Sequence, residues 1–119
     1  MSPARSAVED LLPLPPATFH ILLALMDHDR HGYAIIQDVE ERTKGKLRMS
    51  AGTLYRSIAR MVEQGLITEV AKRRSIADDA RRRYYRLTPF GSACARAEVR
   101  RLSELVRLAR QRGLTPETI

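Results

Sequence analysis

The most constraining feature of this sequence is a segment between Ser50 and Gly65 whose apolar residues recur at helical spacing. Intervals of three and four residues place them on one buried helix face, which carries Leu54, Ile58, Met61 and Val62. The Ser50 side chain can accept a hydrogen bond from the Thr53 amide, and Gly65 can end the helix. We therefore predict a helix over residues 51–64, with Tyr55 at the margin of the buried face as a packing residue.

Two further helices are predicted before this one. Residues 1–16 form a leader whose closing prolines cannot sit inside a helix, although Pro16 suits a first helical turn. Residues 17–27 are apolar on most sides and so form a buried helix, and residues 27–31 form a polar connection. The next helix spans residues 32–43 and is closed by Gly45. Its predicted inner face comprises Tyr33, Ile35, Ile36 and Val39.

Alternating patterns follow the third helix. Residues 46–49 alternate basic and apolar side chains and are predicted to form a short strand. Residues 66–72 and 83–87 also alternate, around a charged turn, as in a β-hairpin. Thr88 and Pro89 then cap a long last helix that runs to about residue 112.

This order of elements predicts a mainly α fold with a two-stranded β-wing, which is the winged helix-turn-helix arrangement. The expected organisation is a leader over residues 1–16, a DNA-binding domain over 17–88, a C-terminal helix over 89–112 and a tail over 113–119.

The charge of the chain is strongly lopsided. Residues 1–45 carry four basic and seven acidic side chains, whereas residues 46–119 carry seventeen basic and seven acidic ones. A net charge of −3 in the first part and +10 in the second indicates one face that meets a polyanion. Eighteen of the basic residues are Arg, which can bond phosphate and guanine bidentately.

Several other classes of protein are disfavoured. The single cysteine, Cys94, excludes an intrachain disulfide and is expected to be a small buried residue. The three histidines lack metal-site spacing, and the sequence has neither a Gly-rich phosphate loop nor a nucleophile elbow. We expect no enzymatic activity, cofactor or metal. The longest apolar run, residues 21–26, is too short for a bilayer, and the N-terminus lacks a signal pattern, so a soluble cytoplasmic protein is expected.

Three blocks of the sequence resemble the PadR family of bacterial transcription regulators. They are HGYAI at 31–35, SAGTLYRSIARMVEQGLI at 50–67 and RRRYYRLTPFG at 81–91, in the family's order and spacing. The resemblance spans roughly residues 14–112, and the short single C-terminal helix is similar to the smaller subfamily. It implies a dimeric repressor that releases operator DNA when a ligand or stress signal arrives. Some members bind aromatic drugs in a pore lined by aromatic residues of the last helix, but this chain has none after Phe90.

The residues expected to contact double-stranded DNA fall into two groups. The third helix should enter the major groove by its N-terminal turn, with Arg56 as the leading base-reading candidate. Beside it are Ser50, Gly52, Thr53, Ser57 and Arg60, with Tyr33 at the start of the preceding helix. The wing supplies Arg73, Arg74, Arg81, Arg82 and Arg83 for phosphate or the minor groove, although Arg83 can also be structural. The alternative for both groups is a solvated surface.

The last helix carries an apolar stripe that predicts a homodimer. Its members are Ala95, Val99, Leu102, Leu105, Val106 and Ala109, spaced as in a coiled-coil seam. Arg100 and Glu104 are expected to pair outside it. Two protomers would present two recognition helices to a pseudo-palindromic operator. The alternatives are a helix folded back on its own core, a winged-helix protein–protein adaptor with an acidic partner, and an RNA-binding module. A small-molecule effector of unknown identity remains open.

Overall fold

The computed structural model describes residues 3–71 and 83–114. The helices are α1 (Pro3–Asp10), α2 (Pro16–Ala24), α3 (Gly32–Arg42), α4 (Ala51–Glu63) and α5 (Pro89–Gln111). The strands are β1 (Arg30–His31), β2 (Ile67–Val70) and β3 (Tyr84–Leu87). The helices and strands predicted at 17–27, 32–43, 51–64, 66–72, 83–87 and 89–112 are therefore present, with ends shifted by a few residues.

The core forms around α2, which packs against α3, α4 and α5. Ile21 and Leu22 on α2 are fully buried, as are Ile35 on α3 and Leu54 on α4. Helical spacing of large aliphatic residues brings these faces together, and burying each such side chain contributes about 1.5–3 kcal/mol. This packing fixes the direction of α4.

The sheet has three strands rather than the two predicted, in the order β1-β3-β2 and antiparallel throughout. The added strand, β1, comes from the segment predicted as a polar connection, and Arg30 pairs with Tyr85 in the ladder. Two residues are too few to show an alternating pattern in sequence. The strand is held by contacts across the sheet instead, since Arg86 on β3 donates two hydrogen bonds to Asp29, at 3.1 and 2.9 Å.

Other local predictions are also corrected. Residues 46–49 form no strand: Met49 is buried in the core without joining the described sheet. Tyr33 and Val62, predicted to face inward, are 62% and 42% exposed, because the inner faces of α3 and α4 are narrower than their apolar patterns. The leader contains a helix, α1, that was not predicted. It packs on α5 and buries Val8, and such a long-range contact is not visible in the local sequence pattern.

Candidate nucleic-acid interface

The first turn of α4 is closed by a side-chain cap, as predicted. The Ser50 hydroxyl oxygen accepts a hydrogen bond of 3.1 Å from the Thr53 amide. The same hydroxyl lies 3.1 Å from the hydroxyl of Thr53. These bonds satisfy an amide that the helix itself cannot pair and order the exposed start of α4.

Arg56 lies over this first turn. Its Nη2 donates a hydrogen bond of 3.4 Å to the Thr53 hydroxyl, and a Cβ placed on Gly52 would stand 3.4 Å from its Nη1. The residue is exposed, and no carboxylate in the described parts of the chain pairs with it. A guanidinium held in this way is oriented by its own helix while its charge remains available to a partner.

The start of α3 lies against the same end of α4. A Cβ on Gly32 would come within 2.6 Å of the Tyr55 hydroxyl, so a side chain at this position would collide with Tyr55. The predicted packing role of Tyr55 thus involves its hydroxyl, while 51% of the residue stays exposed. The neighbouring Tyr33 is exposed in the first turn of α3.

The remaining α4 candidates differ in their surroundings. Gly52 is exposed and Ser57 is half-buried. Arg60 is exposed one turn further along and lines a cleft with Asp10 and Gln64, away from the first turn. The sequence does not predict this cleft, because its far wall belongs to α1, which was not predicted, and to the segment that follows α1.

Most of the predicted wing cations, Arg73, Arg74, Arg81 and Arg82, lie outside the described residues. Arg83 is exposed at the start of β3, with its Nε 3.8 Å from a carboxylate oxygen of Glu69. Of the two tyrosines that follow, Tyr85 faces the core, and burial raises the pKa of its hydroxyl. Tyr84 packs edge-on against the ring of His31, at 5.4 Å between ring centroids.

The predicted stripe on α5 is largely exposed. Val99, Leu102, Leu105 and Val106 are 38–50% exposed, and Ala109 is half-buried. An apolar groove of about 550 Å³ runs beside them and is bordered by Phe19 of α2. Beyond Glu98 the helix therefore does not fold back on its own core.

The acidic residues of α5 pair differently from the prediction. Glu104 accepts hydrogen bonds from Arg107 rather than from Arg100. Glu98 is 3% exposed and accepts bonds of 2.6 and 3.0 Å from Arg101. The hydrogen bonds from Arg101 lower the pKa of the Glu98 carboxyl against the opposing effect of burial, and the backbone amide of Leu14 adds to the lowering.

Other residues considered in the sequence also have defined positions. Cys94 is buried as predicted, and burial raises the pKa of its thiol. His31 is the N-cap of α3, where its Nδ1 accepts from the Ala34 amide at 3.2 Å. Within residues 3–71 and 83–114, no group of three or more His, Cys, Asp or Glu side chains could hold a metal ion. None of the helices in those ranges is both long and apolar enough to cross a membrane.

A family model supports the resemblance seen in the motifs. The model of the transcriptional regulator PadR-like family matches residues 21–97, which run from the core of α2 into the buried part of α5. A curated relative, transcriptional regulator Rv3488 of Mycobacterium tuberculosis, is 36% identical over 88 residues, or 74% of this chain and 77% of the relative.

Solved structures share the fold. A PadR family transcription regulator from Clostridium difficile is similar with a TM-score of 0.68 and 23% identity, over 82% of this chain and 97% of that one. Bacillus subtilis PadR in complex with operator DNA is similar with a TM-score of 0.62 and 18% identity, over 73% of this chain and 48% of that one. These similarities confirm the predicted fold class.

Proposed function

This chain belongs to the PadR-like family of transcriptional regulators, and on that premise we propose that it is a dimeric repressor that recognises a pseudo-palindromic operator. Its family is one of regulators rather than enzymes. The observation that carries the proposal is the first turn of α4, which presents the oriented, unpaired guanidinium of Arg56 beside exposed Gly52.

The proposed mode of reading uses the chemistry of that turn. Arg56 donates two hydrogen bonds to O6 and N7 of a guanine in the major groove, which discriminates by about 1–3 kcal/mol. Thr53 and Ser57 bond phosphate or contact a thymine methyl, and Gly52 lets the helix backbone approach the DNA. Ser50 and Tyr33 donate to phosphates at the edge of the groove. Bacillus subtilis PadR, which has a similar fold, forms a complex with operator DNA, and this supports a DNA-binding role for the present chain.

The wing is proposed to anchor rather than to read. Arg73, Arg74, Arg81, Arg82 and Arg83 would neutralise phosphates or enter the minor groove. Of these, Arg83 has only a long contact with an exposed carboxylate, of a kind that contributes little in water. The wing therefore supplies affinity that depends on salt, while α4 supplies sequence preference.

The exposed stripe of α5 is proposed to join two protomers. Val99, Leu102, Leu105 and Val106 are too exposed to serve the core of their own protomer, and contiguous apolar surface of this kind marks an interface. In this proposal residues 17–88 form the DNA-binding domain and residues 89–112 the dimerisation helix. Because the protein is proposed to act on DNA, we also propose that it works in the cytoplasm.

Footprinting tests the proposal directly. The full chain is titrated onto the DNA upstream of its own gene, and the protected positions are mapped. We expect two half-sites of related sequence about 10 base pairs apart, centre to centre, one for each protomer's α4. A folded protein that protects no DNA but captures an acidic protein in a pulldown would overturn the proposal and select the adaptor.

A further inference from the structure

A cleft of about 210 Å³ lies behind α4, between its C-terminal half and the segment that joins α1 to α2. Its wall is formed by Arg60 of α4, Gln64 directly after α4, Asp10 of α1, Thr18 of α2, and Leu11 and Leu14 of the joining segment. The DNA-binding proposal does not explain this arrangement.

Opposite charges face this cleft without neutralising each other. Arg60 and Asp10 both line it, yet neither forms an ion pair with any residue that the structure describes. A guanidinium is suited to a carboxylate, and a carboxylate is suited to an ammonium group. A ligand that carries both groups on a short frame would pair with both walls at once.

A hydroxyl on the wall of the cleft is also available to a ligand. Thr18 is only 8% exposed, and its hydroxyl forms no hydrogen bond with the described parts of the chain. Because none of the buried side-chain polar atoms in the described residues is left without a hydrogen-bond partner, this hydroxyl is open to solvent at the cleft and can bond a polar atom of a ligand. Leu14, 6% exposed, adds an apolar surface to the same wall.

The walls are held in place before any ligand arrives. The Leu14 backbone amide helps to lower the pKa of the Glu98 carboxyl, and the buried Glu98 side chain is held by hydrogen bonds from Arg101. Pro13 and Pro15 restrict the backbone on both sides of Leu14. The backbone of this part of the wall would therefore lose little conformational freedom on binding.

From these contacts we infer that the cleft binds a small zwitterion, an α-amino acid with an aliphatic side chain. Arg60 pairs with its carboxylate, Asp10 with its ammonium group, and Thr18 with a remaining polar atom, while Leu11 and Leu14 contact the side chain. The cleft is smaller than the roughly 300–1,000 Å³ of sites for drug-sized ligands, which suits a molecule of this size.

The test is calorimetric titration of the full chain with L-alanine, L-valine and L-leucine, with no DNA present. We expect saturable binding of at least one of them. For leucine, 4-methylpentanoate, which lacks the amine, and 3-methylbutylamine, which lacks the carboxylate, should each bind at least about tenfold more weakly. Arg60→Ala and Asp10→Asn should cause a similar loss, whereas Arg56→Ala, which removes an exposed Arg of the same helix outside the cleft, should cause none.

Two results would overturn the inference. One is no saturable binding of any of the three amino acids to the folded wild-type chain at about 10 mM, far above typical metabolite affinities. The other is binding that Arg60→Ala and Asp10→Asn leave unchanged. Circular dichroism of each variant shows that the fold is kept, and because DNA is absent, the outcome is separate from that of the operator experiments.

Discussion

Gly52 is proposed to favour DNA binding at a cost in stability. It occupies an exposed position in the first turn of α4, where glycine is less favourable than alanine by roughly 0.5–1 kcal/mol. Among the described residues, and apart from its chain neighbours and its own helix backbone, only the flexible end of Arg56 and the Ser50 hydroxyl lie within 4 Å of a Cβ added there. Packing therefore does not require the glycine, and we propose that it serves close approach of the backbone to DNA.

Gly52→Ala should accordingly raise the melting temperature and weaken operator binding by about tenfold, or 1.4 kcal/mol. Thermal unfolding and fluorescence anisotropy measure the two effects. The matched control is the double variant Gly52→Ala with Arg56→Ala, compared with Arg56→Ala alone. There the loss of operator affinity caused by Gly52→Ala should be smaller, because the reading contact of Arg56 is already gone. Unchanged operator affinity in Gly52→Ala alone would contradict this role.

The junction between α5 and β2 depends on a glycine for a different reason. A Cβ on Gly91 would lie 2.0 Å from the backbone oxygen of Leu66, which cannot move as a side-chain end can. The Thr88 hydroxyl, which caps α5, also lies 3.0 Å from that Leu66 oxygen. The start of α5 is thereby fixed against the strand that leads into the wing.

Gly91→Ala should lower the free energy of unfolding by about 3 kcal/mol, since overpacking against backbone cannot relax cheaply. Chemical denaturation measures this loss. Ser92→Ala, on the next residue of the same helix, should change stability by less than about 0.5 kcal/mol. Equal stability of the two variants would show that the close approach is not required.

Glu98 makes the packing of α5 dependent on pH. Its carboxyl pKa is lowered in the folded chain, first by the hydrogen bonds from Arg101. Because this pKa is lower in the folded chain than in the unfolded one, the ionised carboxylate stabilises the fold. This stabilisation is fully present above the unfolded pKa of about 4.3 and is lost as the pH falls through the folded pKa. Glu98→Gln should destabilise the chain by about 1–3 kcal/mol at pH 7, with the gap to wild type closing below about pH 4. A gap that is constant between pH 7 and pH 3 in denaturant titrations would refute this.

The elements that the sequence predicts well are those specified by neighbouring residues. The Ser50 and Thr88 caps act over three residues, and the apolar period of α4 is complete within one segment, so both could be recognised. By contrast, β1 exists only because β3 lies beside it, and α1 only packs once α5 is in place. The candidate site was predicted at the first turn of α4 for the same reason, whereas the cleft behind it depends on long-range packing.

The molecule as a whole leaves an apolar surface that one chain does not cover. This exposed stripe and the groove beside it continue along α5 well beyond the core. Val106→Glu should place a charge in the proposed dimer seam and raise the dimer dissociation constant by about a hundredfold. Light scattering after gel filtration measures the change, and Leu114→Glu, at a residue 69% exposed past the end of α5, is the control. A wild-type chain that stays monomeric at high micromolar concentration would contradict the dimer.

We propose that α4 reads DNA sequence through Arg56 while the wing supplies salt-dependent affinity. The most direct measurement is anisotropy titration of wild type, Arg56→Ala and Arg82→Ala against the upstream duplex and a scrambled one, over a range of salt concentrations. Wild type should prefer the upstream duplex by about a thousandfold or more. Arg56→Ala should lose about 1–3 kcal/mol of that preference, and Arg82→Ala should weaken binding to both duplexes and reduce the salt slope by about 1. Equal wild-type affinity for the two duplexes, or identical behaviour of the two variants, would contradict the claim.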